Sequence, residues 1–139
     1  MFAHLQLAAL AVAAAGSMVN ARLPADCARN YTVKAGDTCN GISATQNVST
    51  FQLAHVNPQI NSGCTNLDID EVLCLGIVGQ DCTTVHVVNS SDTSCGVIAH
   101  RANTTQEILH HNNPNMNEWC TNIYVGEVLC TANTTIPYV

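Results

Sequence analysis

Eight cysteines in two evenly spaced runs are the residues of this chain best placed to do chemistry, and that chemistry is oxidative cross-linking. Cys27, Cys39, Cys64 and Cys74 stand 12, 25 and 10 residues apart, and Cys82, Cys95, Cys120 and Cys130 stand 13, 25 and 10 apart. Zinc is the rival use of such thiols, but structural zinc sites draw on cysteine pairs only about two to four residues apart. The closest cysteines within either run are 10 apart, so disulfides are expected and no metal. Four cysteines per run can pair among themselves in three ways, and spacing does not choose between them.

Other reactive groups are sparse. Asp68-Ile69-Asp70-Glu71 is the one acidic cluster, as a glycosidase would need. Its counterpart in the second run is Tyr124-Val125-Gly126-Glu127, so only the glutamate recurs and a turn is the better reading. No Gly-x-Ser-x-Gly or comparable nucleophile signature is present. His55 and His111 share a repeat position without a spaced cysteine or carboxylate to complete a metal set, and so read as helix-end residues. Trp119, beside Cys120, could stack on a ligand or on the disulfide. Neither an enzyme nor a cofactor is expected.

The cysteine rhythm belongs to a longer repeat. Aligning residues 26–74 with 81–130, with one gap opposite Ser94, gives 20 identical pairs in 49. Among them are Asp37-Thr38 with Asp92-Thr93, Asn57-Pro58 with Asn113-Pro114, and Glu71-Val72-Leu73-Cys74 with Glu127-Val128-Leu129-Cys130. A period near 56 residues means one small unit made twice. Units of this size bury too little surface to fold comfortably without cross-links.

Bulk features point to export. Leu5 to Ala15 is an apolar run too short to span a bilayer, followed by Val19-Asn20-Ala21, so residues 1–21 read as a signal peptide. Five glycosylation sequons begin at Asn30, Asn47, Asn89, Asn103 and Asn133. Asn47 and Asn103 occupy the same repeat position, which marks that surface as free of contacts. Ten Asp/Glu against four Lys/Arg, with no basic cluster, argue against nucleic acid and against an anionic membrane. A neutral ligand fits better.

The elements that must position these residues follow from local signals. Tyr31 to Lys34 is β-prone, and Asp37 or Thr38 can cap a helix from Cys39 to about Gln46 with Ile42 inward. Ser49, with Gln52 completing a capping box, starts a second helix that stops at Asn57-Pro58. Glu71 to Leu75 alternates as a closing strand. The second unit repeats the order with His86 to Val88, a cap at Asp92-Thr93, helices around Ile98 and Leu109, and a strand from Val125 to Thr131. The fold class is α+β: two tandem βααβ units, each a two-stranded antiparallel sheet under two short helices. The division is 22–30 as an N-terminal segment, 31–75 as unit one, 76–85 as linker, 86–131 as unit two, and 132–139 as a loose tail.

Tyr31-Thr32-Val33-Lys34-Ala35-Gly36-Asp37-Thr38, Asn57-Pro58, Cys64-Thr65-Asn66-Leu67 and Glu71-Val72-Leu73-Cys74, with their duplicates, resemble the LysM module in its cysteine-bearing fungal form. Together with the leader, the chain is similar to secreted fungal LysM effectors. That resemblance implies binding of chitin or chito-oligosaccharides in a shallow groove between the first strand–helix loop and the loop after the second helix. By position, the first unit would use Gly36, Asp37, Thr38, Pro58, Gln59, Ile60 and Asn61. The second would use Ser91, Asp92, Thr93, Pro114, Asn115, Met116 and Asn117. Several of these also have purely structural roles open to them: Asp37 and Asp92 as helix caps, Pro58 and Pro114 as helix stops, Ile60 and Met116 as core. Ser91 in place of Gly36 and a glycan at Asn89 are expected to weaken or gate the second groove. Two modules favour bridging and a ligand-induced oligomer. The rival readings are a stapled scaffold for a host protein, and a lectin for peptidoglycan or another wall glycan.

Overall fold

The structure, a computed structural model, describes residues 22–139, so the leader expected over residues 1–21 lies outside the described residues. Each half is a βααβ unit. The first has β1 (Cys27–Thr32), α1 (Cys39–Gln46), α2 (Thr50–Val56) and β2 (Val72–Ile77). The second has β3 (Val85–Val87), α3 (Cys95–Arg101), α4 (Gln106–Asn112) and β4 (Val128–Cys130). β1 pairs antiparallel with β2 and β3 with β4, as two separate sheets. β1 begins four residues before Tyr31 and bulges at Arg29, because Cys27 reaches the end of β2 opposite Ile77. β4 is shorter than the expected Val125–Thr131 strand, since Tyr124 to Gly126 form a turn instead.

Every helix of the described residues starts on a hydroxyl. Thr38, Ser49, Ser94 and Thr105 each accept the N–H three residues on, which satisfies one of the free donors of the first turn. Two expectations change here. Asp37 and Asp92 cap no helix; the cap falls on the residue directly before the cysteine, which in the second unit is Ser94. The capping box at Ser49 is half made, since the Gln52 side chain turns away to other partners.

Two small cores lie between sheet and helices: Val33, Ile42, Val48, Leu53, Leu73 and Leu75 in one, and Val88, Ile98, Ala99, Leu109, Met116 and Leu129 in the other. Each is stapled twice in the same pattern. Cys27–Cys74 ties β1 to β2 and Cys82–Cys130 ties the segment just before β3 to β4, while Cys39–Cys64 and Cys95–Cys120 tie the first helix to the loop after the second. Loops of 25 to 48 residues closed this way stabilise by about 3–4 kcal/mol each on chain-entropy grounds.

The halves are docked rather than strung. Gln52, fully buried, donates to the Leu75 carbonyl and to Asp81 and accepts from the Cys82 N–H, so α2 holds the connection between units. Arg29 closes the knot with a two-point pair to Asp81 at 2.6 and 2.8 Å. Gly76 sits where a Cβ would overlap the Asp81 carboxylate, so the close approach excludes any larger residue. The tail is not loose. Ile136 N donates to Asn112 Oδ1 at 2.7 Å, and Tyr138 returns to the first unit, its hydroxyl donating to Gln52 Oε1 and its ring packing edge-on against Phe51 and His55.

Candidate functional site

The loop after the second helix is the most heavily organised surface, and it is built alike in both halves. In the first, Asn57 is buried and its side chain donates to the Leu53 and Cys74 carbonyls and accepts from Cys74 N. Asn113 does the same with Leu109 and Cys130 at 2.8 Å throughout. Beyond it, Asn61 Oδ1 accepts Thr65 N, Asn61 N donates to Asn66 Oδ1, and Asn66 donates back to the Gln59 carbonyl. Asn117, Thr121, Asn122 and Asn115 repeat that lacing at matching distances of 2.8 to 2.9 Å. Cys64 and Cys120 adopt positive φ of 51° and 56° at the turn, where their disulfides hold them.

The loop before α1 is organised by a carboxylate. Asp37 Oδ2 accepts Lys34 N at 2.8 Å and the Tyr31 hydroxyl at 2.9 Å. In the second unit Asp92 accepts Asn89 N and takes a 2.7 Å contact from His86 Nε2, so His86 stands in for Tyr31. Arg101 adds a third contact, Nη1 to Asp92 Oδ1 at 2.8 Å. Burial is the largest single influence on Asp92 and pushes its pKa up. The His86 and Asn89 hydrogen bonds and the charges of His86 and Arg101 outweigh it, leaving the group below its ordinary value. The hydrogen bond to Asp37, aided by burial and the nearby charge, raises Tyr31.

The expected first-unit residues do not form one patch. Thr38, Ile60 and Asn61 line a groove of about 480 Å³ floored by Leu53 and Ala54. Pro58 and Gln59 open instead into a separate cleft of about 180 Å³ beside Pro24 and Val72. Gly36, at φ +88°, shapes the turn before α1, with the Asp37 carboxylate turned inward to hold it. In the second unit Pro114, Asn115 and Asn117 are exposed, with Asn115 Nδ2 held by Glu127 at 2.7 Å. Thr93 is exposed in the longer turn, displaced from the cap by Ser94. Ser91 lacks the positive φ of Gly36, and Arg101 reaches its hydroxyl at 3.1 Å, so the second turn differs in backbone and charge. Met116, expected to contact the ligand, does not face the surface. It is 7 % exposed and belongs to the second core, so it offers a ligand no apolar face. Ile60, half-buried, both packs on its core and lines the groove.

Three features escaped the sequence reading. The Asn57 and Asn113 clamps hid behind their prolines, although duplication of Asn-Pro was a signal for both residues. Asn40 and Thr50, which line the groove, are matched by Gly96 and Gln106 in the second unit, so the repeat did not flag them. Tyr124 of the second unit also lines the first unit's groove, because β4 docks on α1 and α2 through a 3.0 Å bond from Val128 N to Thr50 Oγ1. Trp119 is 77 % exposed and stacks on nothing among the described residues. All five sequon asparagines are exposed, Asn47 and Asn103 at matching left-handed positions that follow a first helix. Cys95, His110 and Cys120 cluster closely enough for a metal, but the two sulfurs are bonded to each other.

Such a surface can make many short hydrogen bonds to a neutral ligand and flank it with small apolar areas; it brings no acid–base pair together in the groove. The family model described as LysM domain matches residues 31–76 and 86–131. The chain is 36 % identical over 106 residues to a secreted LysM effector of Pochonia chlamydosporia, covering 75 % of this chain and 15 % of that one. Against secreted LysM effector LysM2 of Penicillium expansum it is 26 % identical, over 86 % of this chain and 42 % of the relative. For secreted LysM effector LysM1 of Trichophyton rubrum the identity is 27 %, over 78 % and 52 %. The chain thus spans about half or less of the length of these curated relatives.

Proposed function

The chain belongs to the LysM domain family, one module in each half, and we propose that it is a secreted, non-catalytic chitin-binding effector. The observation that carries this is the 480 Å³ groove of the first module, an uncharged cradle of Thr38, Ile60 and Asn61 on loops held by disulfide and asparagine lacing. N-acetylglucosamine presents acetamido groups that need amide-like partners and ring faces that need small apolar contacts, and this cradle supplies both without charge. Loops fixed before binding lose little entropy on binding, which suits a shallow site. The three relatives described above are named as secreted effectors, and four disulfides require an oxidising compartment such as the extracellular space.

Its role is to sequester chitin fragments from host immune receptors or to shield wall chitin from chitinases. Residues 1–21 would direct export, and glycans would sit on the exposed sequon asparagines. With the modules docked and the connection between them short, a long oligomer bridges molecules more readily than it closes on one chain. Calorimetric titration with N-acetylglucosamine oligomers of four to eight units tests the proposal, with cellohexaose and soluble peptidoglycan as controls. Saturable binding of the N-acetylated oligomers alone, tighter with length, is the expected result; retention on none of them would end it. Light scattering with the octamer reads out bridging.

A further inference from the structure

We propose that Tyr124 of the second module is a ligand-contacting wall of the first module's groove, stacking on an N-acetylglucosamine ring bound there. The inference rests on the chitin reading and adds to it that the first site is complete only when both modules are present.

Tyr124 is the one groove-lining residue contributed by the second module. It is 47 % exposed and belongs to neither hydrophobic core. Among the described residues its hydroxyl makes only a long 3.4 Å contact, to Asn40 Oδ1 at the start of α1. A half-exposed residue beside exposed Ala54 and half-buried Ile60 has apolar surface that packing has left unused. An aromatic face next to amide and hydroxyl groups suits a pyranose ring, whose axial C–H groups are apolar and whose edges are polar.

The turn that carries the ring is held in place. Tyr124 N donates to Glu127 Oε2 and the Glu127 N–H returns to the Tyr124 carbonyl, closing a turn that Gly126 permits with φ +93°. Glu127 is 2 % exposed and accepts Asn115 as well. Val128 N, at the start of the strand that follows, is bonded to Thr50 at the start of α2. The turn is therefore tied to its own module on one side and to the groove's wall on the other. The first module makes the same turn, with Asp68 N donating to Glu71, but carries the exposed Asp68 where the second carries Tyr124. The aromatic residue stands only where a neighbouring groove lies beneath it.

Calorimetry with the N-acetylglucosamine hexamer on the parent, Tyr124→Ala and Tyr124→Phe tests this, with Ala54→Arg filling the groove floor as reference. Thermal unfolding of each variant checks that the modules stay docked. Tyr124→Phe should bind like the parent, and Tyr124→Ala about three- to tenfold more weakly, the range for an aromatic stacking contact. In the Ala54→Arg background, Tyr124→Ala should add nothing. Unchanged or tighter binding by Tyr124→Ala would overturn the proposal, the latter by showing that the ring obstructs the groove. Equal losses from Phe and Ala would overturn it too, by moving the effect to the hydroxyl. A parent that binds no oligomer would instead remove the chitin reading, and this inference with it.

Discussion

Replacing Asn57 by alanine should cost the first module about 3–5 kcal/mol. The side chain is 2 % exposed and makes three hydrogen bonds: to the Leu53 carbonyl at 2.7 Å, to the Cys74 carbonyl at 2.6 Å, and from Cys74 N at 2.9 Å. Three such bonds at about 1 kcal/mol net each set the lower figure, and buried Cys74 groups left without partners supply the rest. With a urea slope of about 1–3 kcal/mol/M, a loss of about 3 kcal/mol lowers the midpoint by about 1–3 M. Urea unfolding of the oxidised protein measures it, with Asn113→Ala as the matched test in the second module. Asn57→Asp should be no milder at neutral pH, because a carboxylate would face two carbonyl oxygens. The loop carrying Ile60 and Asn61 starts at this clamp, so hexamer affinity should fall under conditions where Asn57→Ala is still folded. A cost below about 1 kcal/mol would refute the reasoning, since it would mean that water replaces all three bonds.

Tyr138 and Asp92 make stability depend on pH in opposite senses. Burial, with the Asp81 charge beside it, pushes Tyr138 up to about 12 from 10.0, against a smaller opposing bond from Ser49. A raised folded value gives stability that is full below pH 10.0 and lost as pH climbs towards 12, so Tyr138→Phe should flatten the alkaline limb of the stability curve. Absorbance titration of the parent should show an ionisation near 12 that Tyr138→Phe removes. Asp92 has the opposite sign: its folded value is depressed, so its contribution is full above 3.8 and fades as pH falls below it. Asp92→Asn should therefore unfold earlier than the parent in urea at pH 7, with the gap narrowing as pH falls below 3.8; a gap that stays constant into acid would refute the ion-pair account.

Much of this architecture was legible because duplication doubles each local signal. Hydroxyl caps before apolar runs, Asn-Pro stops and the Glu-Val-Leu-Cys strand are near-neighbour effects, and they locate the four helices and two sheets of the described residues. The cap at Asp92-Thr93 was misplaced because alignment treats Ser94 as the insertion, whereas the helix needs its hydroxyl directly before Cys95. Met116 and Ile60 share a repeat position, and only burial separates them. The docking of β4 on α1 and α2, and with it Tyr124 in the first groove, depends on a contact 78 residues apart in the chain. No periodicity carries such information. The docking of the tail is hidden for the same reason: Pro137 and sequon residues look like a loose end, but Tyr138 finds the Phe51 and His55 rings 5.1 and 5.8 Å away.

Gln52 has a further consequence for how the two halves came to differ. Its counterpart 56 residues on is Ile108, which has no amide to offer. Exchange the order of the repeats and an aliphatic chain would face the Leu75 carbonyl, the Cys82 amide and the Asp81 carboxylate that glutamine now serves. The duplicated units have become a first and a second, no longer interchangeable, and one side chain records which is which.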